Sequence, residues 1–154
     1  MKNRNIYFFF MAVSLFVGAV ASILTSENMN IYSNIITPSL SPPSILFPIV
    51  WTFLYLLIGV SAARIYIAND NRWNTSLTIW AVQLAVNFTW TLIFFNLQAF
   101  LFAFIWLVLL WVLIITMIIL FYRQDKPAAY LQIPYLLWVT FAGYLTLGIY
   151  LLNS

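Results

Sequence analysis

The sequence predicts an all-α integral membrane protein, a bundle of five transmembrane helices with a long first extramembrane loop acting as a lid. Three observations predict it. Of 154 residues, 65% are hydrophobic and only six are basic and three acidic, too little polar surface to cover a soluble globule. Five apolar runs, each near the ~20 residues a spanning helix needs, are separated by polar breaks. With five crossings, Lys2, Arg4, Arg64, Arg72, Arg123 and Lys126 all fall on one side and no Lys or Arg on the other. That positive-inside pattern predicts a cytoplasmic N-terminus, with the C-terminus and the long first loop external. Residues 1–154 are read as a single domain.

The first span, about 6–24, follows Met1-Lys2-Asn3-Arg4. Ala19-Val20-Ala21 looks like a signal-peptidase site, but the apolar run continues past it, which favours a retained spanning helix over a cleaved leader. Ser14, Gly18 and Ser22 form a small-residue stripe that serves either packing inside the bundle or a dimer seam. Thr25 to Ser41 holds Glu27, Pro38 and many Asn and Ser, with no run apolar enough to cross a bilayer, so it is read as the lid.

The second span, about 42–68, opens on Pro42-Pro43, which suit a first helical turn, with Ser41 placed as N-cap. Pro48 inside it should bend the axis one turn before Trp51. Ser44, Pro48, Trp51, Tyr55 and Ala62 share one stripe, read as a pocket wall. After Asn69-Asp70-Asn71-Arg72 comes the third span, about 74–95, with Gln83, Asn87 and Trp90 on one side; Asn96-Leu97-Gln98 is a tight turn. The fourth span, about 99–122, is apolar all round except Thr116 and should be the most lipid-exposed. Arg123 to Pro127 breaks it and caps the fifth, about 128–152, in which Pro134 precedes Trp138 by one turn.

Composition excludes much. With no Cys and no His there is no disulfide, thiolate, usual zinc site or imidazole catalyst, and the scattered basic residues do not suggest nucleic-acid binding. No charge lies in the centre of any span, which argues against proton relays and voltage sensing. What remains is uncharged polarity. Gln83 is read as an interhelical hydrogen-bonding residue, whereas Asn87 is favoured as a site residue for its depth.

At ~1.5 Å per residue, Trp51 and Asn87 both lie ~13 Å below the outer face, with Ala142 at ~16 Å and Trp138 at ~22 Å. Two proline-interrupted helices thus bring tryptophans to one slab of the bilayer under the first loop. Trp73 reads as an interfacial belt residue, and Trp106 and Trp111 as packing or lipid-facing. A pocket with Trp51, Trp138, Tyr32 and Tyr55, one or two amides and no charge suits a large, flat, apolar ligand such as a macrocycle or sterol.

These residues also carry a family likeness. Pro42-Pro43, Pro48, Trp51, Leu54-Tyr55 and Gly59; Gln83, Asn87, Trp90 and Phe94-Phe95; and Ala128, Leu131, Pro134-Tyr135, Trp138, Phe141-Ala142 and Leu145 make the whole chain resemble the translocator protein family. These are the tryptophan-rich sensory proteins once called peripheral-type benzodiazepine receptors. The resemblance implies a five-helix bundle, often a homodimer, in the bacterial cell membrane. Its pocket would bind porphyrins such as protoporphyrin IX, sterols, and isoquinoline or benzodiazepine-type drugs, with no cofactor required.

By the same resemblance, Tyr32, Pro42, Pro43, Trp51, Asn87, Trp90, Trp138 and Ala142 are the ligand-binding residues. Trp51 and Trp138 would be the catalytic pair in a light-dependent degradation of protoporphyrin. Ile31, Thr37 and Leu40 replace residues common in the family's first loop, Thr146 stands where Asn is common, and no basic residue follows Tyr150. A loose sterol-type pattern does occur at Leu120, Tyr122 and Lys126, but such patterns are weak, so porphyrin is favoured over sterol. Three functions stay open: a membrane receptor or sensor, a light-driven enzyme, and a transporter of porphyrin or another small solute.

Overall fold

A computed structural model describes residues 3–26, 35–42 and 46–153. Five helical spans, each long and apolar enough to cross a bilayer, make up the described chain, with no strand among the described residues. They are α1 (Asn3–Thr25), α2 (Leu46–Ala68), α3 (Thr75–Leu92) extended by a π-helical turn (Ile93–Leu97), α4 (Phe100–Gln124), and a fifth span made of α5 (Lys126–Leu131) and α6 (Ile133–Asn153). α1 packs on α2 and α3, α2 on α5 and α6, α6 on α4, and α4 on α3. The ring order is therefore first, second, fifth, fourth, third span.

Close approach of α1 and α2 rests on small residues. A Cβ on Gly59 would lie 2.6 Å from Met11 Cα, and one on Gly18 would lie 2.5 Å from the Tyr55 ring. Ser14 is fully buried, so two of the three residues in the α1 small-residue stripe serve packing within the bundle, while Ser22 is exposed. α4 meets its neighbours along Ala103, Leu107, Leu110, Ile114, Met117 and Phe121, a seam repeating every three or four residues. The expectation that α4 would be the most lipid-exposed span is corrected: a smaller share of α1 is buried than of α4. The physical reason is position. Apolarity all round permits lipid exposure, but α4 fills a place in the ring between α3 and α6, and its seam is used.

Two ends differ in chemistry. At the charged end, Arg64 Nε donates to Asp125 Oδ2 (2.7 Å) and its Nη2 to Oδ1 (3.2 Å), while Asp125 also accepts the Ala128 N–H (3.1 Å) as the cap of α5. Asn74 caps α3 by accepting the Leu77 N–H and donates to Gln124 Oε1 (2.6 Å). At the opposite end Asn96 Nδ2 donates to the Leu24 carbonyl (3.0 Å), tying the end of the π-turn to that of α1.

The described part of the first loop, residues 35–42, is strapped to α6. Asn153 accepts the Ile36 N–H (3.1 Å) and donates to the Ile36 carbonyl (2.7 Å), and the Tyr144 hydroxyl donates to the Ser39 carbonyl. Pro38 lies where a Cβ on Gly148 would be, 2.7 Å from its Cγ.

Two prolines, Pro48 and Pro134, were expected to mark the spans that carry the tryptophans. α2 is described from Leu46 and runs unbroken through Pro48 to Ala68, and the residues that would set how far Pro48 lies from the start of the helix, 43–45, lie outside the described residues. The Ser41 hydroxyl donates to the Pro38 carbonyl (2.6 Å), and the first-turn residues it was expected to cap lie outside the described residues. Pro134 does interrupt the fifth span. The helix breaks at Gln132, whose N–H turns back to the Ala129 carbonyl (3.1 Å), and the Ala128 carbonyl accepts the Ser61 hydroxyl (2.7 Å).

Candidate functional site

Between α2, α3 and α6 lies a continuous polar chain with no charge. The Tyr55 hydroxyl donates to Asn87 Oδ1 (2.8 Å), Asn87 Nδ2 donates to the Tyr135 hydroxyl (2.9 Å), and that hydroxyl donates to Gln83 Oε1 (2.6 Å). All four side chains are buried. Local sequence places them: Gln83 and Asn87 share a face one turn apart on α3, and Tyr135 follows the Pro134 interruption that starts α6. In hydrocarbon an unpaired amide or hydroxyl costs roughly 1–3 kcal/mol, so each polar group stabilises the helix pairing that satisfies the next.

Aromatic rings lie over this chain on the loop side. Trp51 packs 5.7 Å from Tyr55 and edge-on to Tyr135 at 6.3 Å. Trp138 is edge-on to Phe47 at 5.8 Å and tilted against Phe141 at 5.7 Å. Both indoles are half-buried against the core and do not stand free in the lipid. Burial along the α2 stripe rises from exposed Pro48 through Trp51 to Tyr55 and Ala62, so the stripe faces the interior only from Trp51 inward.

Among the other predicted site residues, Asn87 is central to the network, Ala142 is buried on α6, and Pro42 is half-buried in the strap. Trp90 is buried against Phe94 at 5.3 Å, and its indole N–H has no hydrogen-bond partner among the described residues. Tyr32 and Pro43 lie outside the described residues, as does Ser44 of the predicted stripe.

The expected interhelical bond of Gln83 is present, to Tyr135. Trp106 donates to the Val86 carbonyl (3.0 Å), Trp111 to Thr140 Oγ1 (2.9 Å), and Trp73, largely exposed, to Thr78 Oγ1 (2.9 Å). Tyr135 is the residue that sequence reasoning missed. It stood in the quoted Pro134-Tyr135 pair, and its position one turn from Trp138 on the inward face was the available signal.

Two cavities lie elsewhere, both along the seam of α4 and α6. One of about 320 Å³ is bordered by Gln98, Phe102, Tyr150 and Asn153, and one of about 220 Å³ by Leu107, Trp111, Thr140 and Gly143. None of the eight predicted binding residues lines either. In this conformation Trp51, Tyr55, Tyr135 and Asn87 close on one another.

A five-helix bundle with an uncharged, aromatic-covered hydrogen-bond network in its interior defines a polytopic helical membrane protein. The profile of the TspO/MBR family matches residues 10–152, and the chain belongs to that family. It is 37% identical over 142 residues to the tryptophan-rich protein TspO of Chlorobaculum tepidum, covering 90% of each chain. It is 40% identical over 124 residues to protein CrtK of Rhodobacter capsulatus, 79% of this chain and 78% of that one. With the translocator protein of Bos taurus it shares 28% over 122 residues, 77% and 72% of the two chains.

Proposed function

We propose that the protein is a receptor or sensor in the cell membrane that binds a tetrapyrrole such as protoporphyrin IX, and isoquinoline or benzodiazepine-type molecules of similar flatness, beneath the first loop. The observation that carries the reading is the Tyr55–Asn87–Tyr135 network under the Trp51 ring. It offers neutral hydrogen-bonding groups at the base of an aromatic wall. Rings of this kind add about 0.5–1.5 kcal/mol per stacked pair beyond the area they bury. No Lys or Arg is expected at the loop end, so carboxylates of a porphyrin would stay at the water side while the macrocycle enters edge-first. Positive-inside charge orients that loop outward, with the N-terminus in the cytoplasm.

A ligand of this size needs a site of roughly 300–1,000 Å³. In the proposed cycle, binding separates Trp51 and Trp138 from their ring neighbours while the strap on α6 lifts. Titration of protoporphyrin IX into the protein in nanodiscs is expected to quench tryptophan emission saturably, and Trp51→Phe and Trp138→Phe to weaken the apparent affinity by about tenfold each, ~1.4 kcal/mol. Saturable quenching with unaltered affinity in both variants would refute the site.

The ring contacts of Trp51 with Tyr55 and Tyr135 favour a second reading. Light-excited porphyrin would lose electrons to dioxygen within the site, the macrocycle being oxidised and dioxygen reduced, and Trp51 and Trp138 would stack on the macrocycle and relay those electrons. Illumination of the complex would then bleach the porphyrin bands and give a new product with the wild type and not with Trp51→Phe or Trp138→Phe. Flux of porphyrin into sealed liposomes, absent from protein-free ones, would instead identify a transporter.

A further inference from the structure

The polar chain does not end at Gln83. Its Nε2 is buried and has no hydrogen-bond partner among the described residues, and the same holds for both Oε1 and Nε2 of Gln132, which is fully buried at the break between α5 and α6. Register brings these two amides to neighbouring levels of the bundle. α3 and α6 run in the same direction, and the Tyr135 hydroxyl reaches across the bundle to both Asn87 and Gln83, fixing the 83–87 turn of α3 opposite the first turn of α6. Gln132 lies three residues before Tyr135 on the same helical face, ~4.5 Å closer to the charged end, and Gln83 lies four residues before Asn87, ~6 Å in the same direction.

The surroundings are closed. Ser61 is bonded to the Ala128 carbonyl and the Trp80 indole N–H to the Ile58 carbonyl (3.1 Å), so neither of these buried donors is free for the amides. Gln83 Nε2 and both Gln132 amide atoms, two donors and an acceptor, are satisfied together by a partner that both donates and accepts.

We infer that a buried hydration site lies between Gln83 and Gln132, in which water bridges the α3 amide to the proline break of the fifth span. The site takes a small, uncharged molecule able to donate and accept, and water is the occupant that matches a bundle with no charge at this depth. It extends the Tyr55–Asn87–Tyr135 network to the point where the fifth span is interrupted. Gln132 is thereby a positioning residue, holding the break at a fixed distance from α3. The inference rests on the orphan amides and is independent of the tetrapyrrole reading.

The test uses the full-length protein in lipid nanodiscs or bilayers, without porphyrin, with ¹⁵N-labelled glutamine side chains. Water-edited magic-angle-spinning spectra read transfer from water protons to each side-chain amide. Strong early transfer to both Gln83 and Gln132 is expected, together with loss of the Gln83 transfer in Gln132→Met. Dry amides in the wild type overturn the site. Undiminished transfer to Gln83 in Gln132→Met overturns the bridge. Should Gln132→Met fail to fold, Gln83→Met provides the converse, with loss of transfer at Gln132 expected and its persistence refuting the bridge.

Discussion

α3 and α4 are neighbours of similar length in the same membrane, and they are built on opposite rules. α4 is apolar all round, and its one central polar residue, Thr116, donates to its own helix at Val112 (2.9 Å). α3 is less apolar and buries Gln83 and Asn87, whose hydrogen bonds reach across the bundle to α2 and α6. In water the core would be the apolar side. In lipid, burying an apolar residue gains little over leaving it in the acyl chains, so polar groups identify the interior and specify which faces meet. The candidate site is where this rule is most concentrated.

Breaking the inner network should therefore have the largest effect. Asn87→Leu strands the Tyr55 hydroxyl and removes one of the two partners of Tyr135, and is expected to destabilise the reconstituted protein by about 2 kcal/mol in denaturant unfolding. Porphyrin quenching should weaken in the same variant. Unchanged stability would mean the interior is held by shape alone.

Shape gives the next test, because the inner and outer seams differ in tightness. Gly59→Ala would put a methyl 2.6 Å from Met11 Cα and 2.9 Å from Met11 N, backbone atoms that move only with α1 as a whole. A loss of about 1–3 kcal/mol is expected, with weakened α1–α2 association. Gly143→Ala on the α4–α6 seam meets nothing nearer than Leu107 Cδ2 at 3.7 Å and should stay within about 0.5 kcal/mol of wild type. Equal losses in the two variants would erase the distinction.

The same contrast explains what could be read in advance. Helix existence follows from apolar run length, so the five spans, the capped break at 123–127 and the Pro134 interruption were all legible within a few residues. Each stripe was legible within its own helix: Gln83 with Asn87, and Trp51 with Tyr55. Which stripes meet was not. Depth counting paired Asn87 with Trp51, whereas it bonds Tyr55, one turn deeper, because rise per residue places Cα atoms and not the hydroxyl at the end of a long side chain. The Arg64–Asp125 pair was hidden too, since residues 61 positions apart are joined only by the ring order of helices.

At the charged end the effect should be smaller. Asp125→Ala removes the α5 cap and the partner of Arg64 together, at a half-exposed site, and a loss of about 1 kcal/mol is expected in the same unfolding assay. Raising ionic strength should narrow the gap between this variant and wild type, because the ion pair is screened while the cap is not. A gap insensitive to salt would assign the whole effect to the cap.

The smallest effect belongs to the lipid side, and it checks the rule at its weakest point. Thr116→Val deletes a hydroxyl that satisfies itself on the Val112 carbonyl, a carbonyl still engaged in its helical bond. The variant gains a methyl where lipid or a half-buried neighbour surrounds it, so the change should fall within about 0.5 kcal/mol in either direction. Thermal inactivation in nanodiscs, run beside Asn87→Leu, measures both on one scale. If removing the Thr116 hydroxyl cost as much as removing the Asn87 amide, polarity in this bundle would matter wherever it occurs. The inward face of α3 would then lose its claim to be what the other helices assemble around.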